Sequence, residues 1–103
     1  MAKETCQLCG RRHDPKTMVE HHIVPTQVTA EGGIPESQSL RLCANCHQEV
    51  HTWYVAKVRH TEYDPDSRRF RNKSSLEMVR EYQMAFSNFV NYRRAQRKRS
   101  RRS

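Results

Sequence analysis

The sequence has no long run of apolar residues, and this absence argues against a membrane-spanning helix, which needs about 20 of them in succession. Residues 1–5 also lack the apolar stretch of a secretory signal, so we expect a cytoplasmic protein with no membrane partner. Hydrophobic residues make up only 35% of the 103 residues, which predicts one small domain with a thin apolar core. A bound metal would therefore be a physically useful stabiliser.

Acidic residues are missing from the last eleven positions, 93–103, which hold seven of the nineteen arginines and lysines. The rest of the chain is close to neutral, so the net charge of +8 is concentrated at this end. Such a segment is typical of an arm that neutralises DNA phosphates without reading bases, although a solvated terminus that only aids solubility is the alternative. The predicted DNA-binding residues are Arg93, Arg94, Arg97, Lys98, Arg99, Arg101 and Arg102.

Cysteine, by contrast, is present in an informative arrangement of two Cys-x-x-Cys pairs, Cys6/Cys9 and Cys43/Cys46. Reducing cytoplasmic conditions favour metal ligation by thiolates over disulfides. Disulfides within such short segments would also cross-link very little of the chain. Four thiolates complete the tetrahedral shell of one zinc ion, so the sequence predicts one closed, structural Zn²⁺ site.

Histidine supplies a second set of ligands, the doublet His21-His22 and the pair His47 and His51, which are four residues apart. In a strand, His21 and His22 project to opposite faces, so that His21 alone turns toward the helix that carries the other two. We predict an open site in which His21 and His47 bind a catalytic divalent cation, and in which His51 is a further ligand, a phosphate contact or a packing residue. A second structural zinc is the alternative, although such sites normally have four protein ligands.

The first half of the chain predicts two short strands and a helix. Residues 18–24 are rich in β-forming side chains and end at Pro25, while residues 40–42 form a brief second strand. The intervening segment, 25–39, is predicted to be a loop. Apolar residues recurring at intervals of three and four predict a helix over residues 44–59.

The second half predicts a connector and a second helix. Residues 60–73 contain a turn and a basic cluster around Phe70, which fits a phosphate-contacting loop and a solvated connector equally well. Ser74 and Glu77 form a capping-box pattern that opens a helix. This core-facing helix should end near Tyr92, because Arg93 and Arg97 fall where its apolar stripe would continue. The stripe that we expect to pack on the core comprises Leu76, Val79, Tyr82, Phe86, Phe89 and Val90.

The histidine doublet with its apolar-proline tail, the two cysteine pairs and the Cys46-His47 junction resemble the HNH endonuclease family over residues 6–55. The resemblance implies a small ββα-metal finger with four-cysteine zinc knuckles. Together with the C-terminal amphipathic helix and the basic tail predicted above, this gives an α+β fold class and divides the chain into a nuclease core, a basic connector, a packing helix and a tail. These would span residues 1–60, 61–73, 74–92 and 93–103.

The resemblance also implies roles for individual residues. His21 and His47 correspond to metal ligands, His22 to the general base, and His51 to a further histidine that some members add. The family's middle Asn is Gln38 here, whose amide carries the same hydrogen-bonding groups on a longer arm and can orient the base.

The predicted function is therefore a metal-dependent DNA endonuclease that hydrolyses phosphodiester bonds, leaves 5′-phosphate and 3′-hydroxyl ends, and nicks one strand with little sequence preference. His22 can serve as the base because imidazole titrates near neutrality. Nitrogen ligands favour Mn²⁺, Ni²⁺ or Co²⁺ over Mg²⁺, which prefers oxygen. A non-catalytic zinc module that binds nucleic acid, and an RNase on the same finger, are the alternatives. Both a monomer and a homodimer are compatible with the sequence.

Overall fold

The computed structural model describes the backbone of residues 2–101 and the side chains of residues 2–96. Within this range the chain forms a small α+β fold, as predicted, with three helices and three antiparallel strand pairs. None of the described helices is both long and apolar enough to cross a membrane. The elements in chain order are β1 (Glu4–Thr5), β2 (Arg12–His13), a 3₁₀ turn (Pro15–Thr17), β3 (Met18–His22), α1 (Thr26–Glu31), β4 (Ser39–Cys43), α2 (Ala44–Lys57), β5 (Thr61–Asp64), β6 (Arg69–Asn72) and α3 (Ser75–Arg101).

Strands β3 and β4 pair in register from Met18 opposite Cys43 to His22 opposite Ser39. Beyond β3, the Ile23 N–H donates to the Gln38 carbonyl at 3.1 Å, which extends the pairing by one step. Strand β4 runs directly into α2, which packs against this hairpin. The two predicted strands and the helix that follows them are therefore confirmed.

The core lies between the β3–β4 hairpin, α2 and α3. Leu42 and Val50 are fully buried within it, and α3 contributes Met78, Tyr82, Ala85, Phe86 and Phe89. Two side-chain hydrogen bonds fix α2 in this arrangement. The Trp53 indole donates to the Ala85 carbonyl at 2.9 Å, and the Tyr54 hydroxyl donates to the Ile23 carbonyl at 2.7 Å.

The start of α3 agrees with its capping signal, because the Glu77 N–H donates to the Ser74 hydroxyl at 3.2 Å. The predicted end near Tyr92 is wrong, since the helix continues to Arg101. Arginine, alanine, glutamine and lysine favour helix without tertiary contacts, so loss of the apolar stripe ends the packing but not the helix. Leu76 is 60% exposed and lies outside the core, contrary to the predicted stripe.

Two segments predicted as irregular contain regular structure. Helix α1 lies inside the predicted loop 25–39, where Pro25 occupies the N-cap position and Thr29 is buried. The predicted connector 61–73 contains the β5–β6 hairpin, in which Tyr63 lies opposite Phe70. Their rings are 5.4 Å apart in an edge-to-face arrangement, and such cross-strand pairs stabilise an otherwise exposed hairpin.

Replacing Leu42 by Ala should lower the free energy of unfolding by about 2–5 kcal/mol, because the side chain is fully buried and its loss leaves a cavity. The matched control is Leu76→Ala, which should change the stability by less than about 0.5 kcal/mol, since Leu76 is largely exposed. Urea unfolding of the zinc-loaded protein, followed by circular dichroism, measures both. Equal losses would contradict this description of the core.

Candidate metal centres

The four cysteines come together as one cluster, with all of their sulfur atoms within 4.8 Å of one another. Cys6, Cys43 and Cys46 are buried, and Cys9 is partly buried. The sulfur atoms of Cys9 and Cys43 are 4.0 Å apart. A tetrahedral zinc ion with Zn–S bonds of about 2.3 Å requires sulfur atoms about 3.8 Å apart. The donor set and its spacing therefore fit a structural Zn²⁺ ion.

Local backbone structure explains how each pair reaches the cluster. The first pair lies on a tight turn in which the Gly10 N–H donates to the Cys6 carbonyl at 2.9 Å, and Gly10 adopts a φ of +77° that suits glycine. Gln7 fixes this turn to β4, because its side-chain oxygen accepts the Arg41 N–H at 2.6 Å. The second pair lies at the junction of β4 and α2, with Cys43 in the N-cap position.

The thiols differ in their electrostatic surroundings. Burial raises the pKa of the Cys6 thiol, but hydrogen bonds from nearby backbone N–H groups outweigh burial and bring the pKa down to about 6. One of these donors is the Cys43 N–H, at 3.4 Å from the Cys6 sulfur. Burial raises the pKa of Cys9 and of Cys46. Cys6 therefore favours the thiolate at neutral pH, whereas a bound cation would displace the protons of Cys9 and Cys46.

Three histidines form a second cluster, with their ligand nitrogens also within 4.8 Å of one another. His21 projects from β3, and His47 and His51 lie one turn apart on α2. The His47 and His51 Nε2 atoms are 2.9 Å apart. The His21 ring centroid lies 5.5 Å from the centroids of both other rings. The predicted alternation along the strand therefore brings His21, and not His22, to the helix.

His21 is in the state that metal ligation requires. It is 4% exposed, and its Nε2 atom has no hydrogen-bond partner among the described residues. Burial, together with the nearby His51, His47 and His22, lowers the pKa of His21 to about 4, so the ring is neutral at neutral pH. A bound cation would satisfy the buried lone pair of the His21 imidazole. The spacing of the His47 and His51 Nε2 atoms also suits an ion, because two adjacent ligands that each lie about 2.1 Å from an ion are roughly 3 Å apart.

His22 is half-buried beside two carboxylates that the sequence analysis did not single out. Its Nε2 atom is 3.6 Å from a Glu20 oxygen and 3.5 Å from a Glu36 oxygen. Glu20 lies two positions before His22 on the same face of β3, so the alternation of the strand could have predicted its position. Glu36 lies in a loop, and no local sequence pattern predicts its approach to His22. In the described part of the chain, the Gln38 amide makes no hydrogen bond to His22.

The predicted cationic tail is only partly described. Arg93 is turned inward, with its side chain 21% exposed and paired with Glu49, whereas Arg94 is exposed. The other predicted members lie outside the residues whose side chains are described; they are Arg97, Lys98, Arg99, Arg101 and Arg102.

No protein-family model, no curated protein and no solved structure matches this chain. The four-cysteine cluster and the histidine cluster are therefore interpreted from their own residues and distances. The first is closed by four sulfur ligands, and the second offers three nitrogens beside an exposed edge at His51. A site with three protein ligands leaves coordination positions free, as catalytic metal sites do.

Replacing Cys46 by Ser should abolish tight zinc binding and destabilise the fold, because zinc supplies much of the folding free energy of small zinc domains. His51→Asn is the control, since it alters the second cluster and leaves the four sulfurs intact. Elemental analysis after dialysis against a weak chelator measures the zinc, and the thiolate charge-transfer band of the Co²⁺-substituted protein reports the ligands. Retention of zinc by Cys46→Ser at the wild-type level would contradict the assignment.

Proposed function

We propose that this protein is a metal-dependent endonuclease of the HNH type, which hydrolyses phosphodiester bonds of DNA one strand at a time. The observation that carries the proposal is the relation between two adjacent residues of β3. His21 presents an unpartnered, neutral imidazole to His47 and His51, while His22 projects from the opposite strand face. His21 is thus suited to metal ligation and His22 to proton transfer, which are the two roles that the ββα-metal finger of this family requires.

In the proposed reaction His22 takes a proton from a water molecule, whose oxygen attacks the phosphorus while the bond to the 3′ oxygen breaks. The leaving 3′ oxygen would take up a proton from solvent water, and His22 would release its proton to solvent, so that the products carry a 5′-phosphate and a 3′-hydroxyl. The carboxylates of Glu20 and Glu36 lie 3.6 and 3.5 Å from the Nε2 atom of His22. A divalent cation bound by His21, His47 and His51 would act as a Lewis acid at the scissile phosphate.

The nitrogen ligand set supports a preference for a transition metal. Mg²⁺ prefers oxygen ligands, whereas imidazole suits Mn²⁺, Co²⁺ and Ni²⁺. The cysteine cluster is proposed to hold zinc for structure alone, because four sulfur ligands leave no position for substrate. One histidine cluster per chain is consistent with a single nick per encounter.

A non-catalytic zinc module is the second candidate, since the four-cysteine cluster and the basic end of α3 suffice for nucleic-acid binding without the histidines. The neutral, unpartnered His21 ring favours the nuclease over this candidate, because a buried imidazole nitrogen without a partner has an energetic cost unless it binds something. An RNase on the same scaffold is distinguished by its substrate.

Replacing His22 by Ala should reduce nicking of supercoiled plasmid about 10²–10⁴-fold in the presence of Mn²⁺, because the general base is lost. His60→Ala, at an exposed position outside both clusters, is the control and should retain wild-type nicking. Wild type should be more active with Mn²⁺, Ni²⁺ or Co²⁺ than with Mg²⁺, and structured RNA should be cut less well than plasmid. Undiminished cleavage by His22→Ala would refute the role of His22, and activity confined to Mg²⁺ would refute the ligand assignment.

Deleting residues 94–103 should flatten the salt dependence of DNA binding, because six of the cations that would release counterions are removed. If all six contact phosphates, the slope of log K against log salt should fall by about 5. Fluorescence anisotropy between about 50 and 200 mM salt measures the slope, with two unrelated duplex sequences as a test of base preference. An unchanged slope would exclude this segment from the DNA interface.

A further inference from the structure

Arg93 reaches from α3 to the cysteine cluster. One of its terminal nitrogens, Nη2, lies 3.9 Å from the Cys46 sulfur, within reach of a weak hydrogen bond to sulfur. The other, Nη1, forms an ion pair with Glu49 on α2. The guanidinium also lies 5.9 Å from the Phe89 ring centroid, which helps to fix its position. The side chain is thus held between α2 and α3 with its charge directed at a thiol.

A cation near the cysteine cluster would balance the negative charge that the cluster carries when zinc is bound. Four thiolates around one Zn²⁺ ion carry a net charge of about two negative units, and three of these cysteines are buried. The start of α2 supplies partial positive charge from one side, including the Cys43 N–H that donates to the Cys6 sulfur. Among the described side chains, Arg93 is the charged group with a hydrogen bond to one of the four sulfurs.

We infer that Arg93 is the cation that stabilises the zinc tetrathiolate from outside its ligand shell, and that it thereby controls zinc retention. It is then a positioning and charge-balancing residue of the metal centre and not a member of the DNA-contacting segment. This inference depends on zinc at the cysteine cluster and does not depend on the proposed nuclease activity.

The test compares zinc retention in the full-length, zinc-loaded protein. Arg93→Met keeps the length of the side chain and removes its charge, Arg93→Lys keeps the charge, and Arg94→Met is a matched control at the next, exposed position. Zinc release into a chromophoric chelator gives the rate, and Co²⁺ titration of the apoprotein gives the affinity. Arg93→Met should weaken metal affinity about tenfold or more, in the range typical of groups outside the ligand shell. Arg93→Lys should recover most of that loss, and Arg94→Met should match wild type.

A second variant distinguishes charge balance from a purely mechanical link between the helices. Glu49→Gln removes the acidic partner of Arg93 at an exposed position, so it should leave zinc release unchanged or slow it. Faster release from Glu49→Gln would overturn the inference, because it would show that the ion pair itself holds the site together. Wild-type retention by Arg93→Met, or equal losses in Arg93→Met and Arg93→Lys, would also overturn it. Because the measured quantity is bound metal, loss of nicking in any variant does not affect the result.

Discussion

The turn from β4 into α2 is the constraint on which the rest of the structure depends. Cys43 ends the strand, Cys46 lies in the first turn of the helix, and His47 follows it directly. A helix rotates about 100° per residue, so these adjacent side chains leave α2 in different directions. One short segment thus supplies side chains to both clusters, and a shift of one residue in the helix start would remove a member from each.

The two clusters differ in how the surrounding core holds them. The cysteine cluster is enclosed by a turn, a strand end and a helix start, and is mostly buried. The histidine cluster has a buried side at His21, whose ring lies 5.8 Å from Tyr54 and 6.2 Å from Phe86 between centroids, and an exposed side at His51. Packing against these aromatic rings fixes the His21 ring before any ion binds. The burial of the cysteine cluster and the partial exposure of the histidine cluster therefore follow from where the core ends.

Much of this arrangement could be predicted from local sequence, because spacing and alternation act over a few residues. The pairing of two Cys-x-x-Cys units, the opposite faces of His21 and His22, and the helix after Cys43 are all signals of this kind. Features created by tertiary contact could not be predicted. Glu36 comes to His22 from a loop, and Arg93 reaches Cys46 across 47 positions of sequence. Leu76 fits the periodicity of α3 but is largely exposed, because none of the described core side chains covers it.

The length of α3 has a consequence for how the basic end of the chain meets any polyanion. The helix contains 27 residues, and at about 1.5 Å per residue it extends roughly 40 Å, while the contacts described between its side chains and the core reach as far as Arg93. The described backbone of residues 94–101 therefore continues the helix past the core, in a direction that the packed part of α3 sets. A backbone that is already helical loses less conformational entropy on association than an unstructured arm does, so an electrostatic contact made from it can contribute more to affinity.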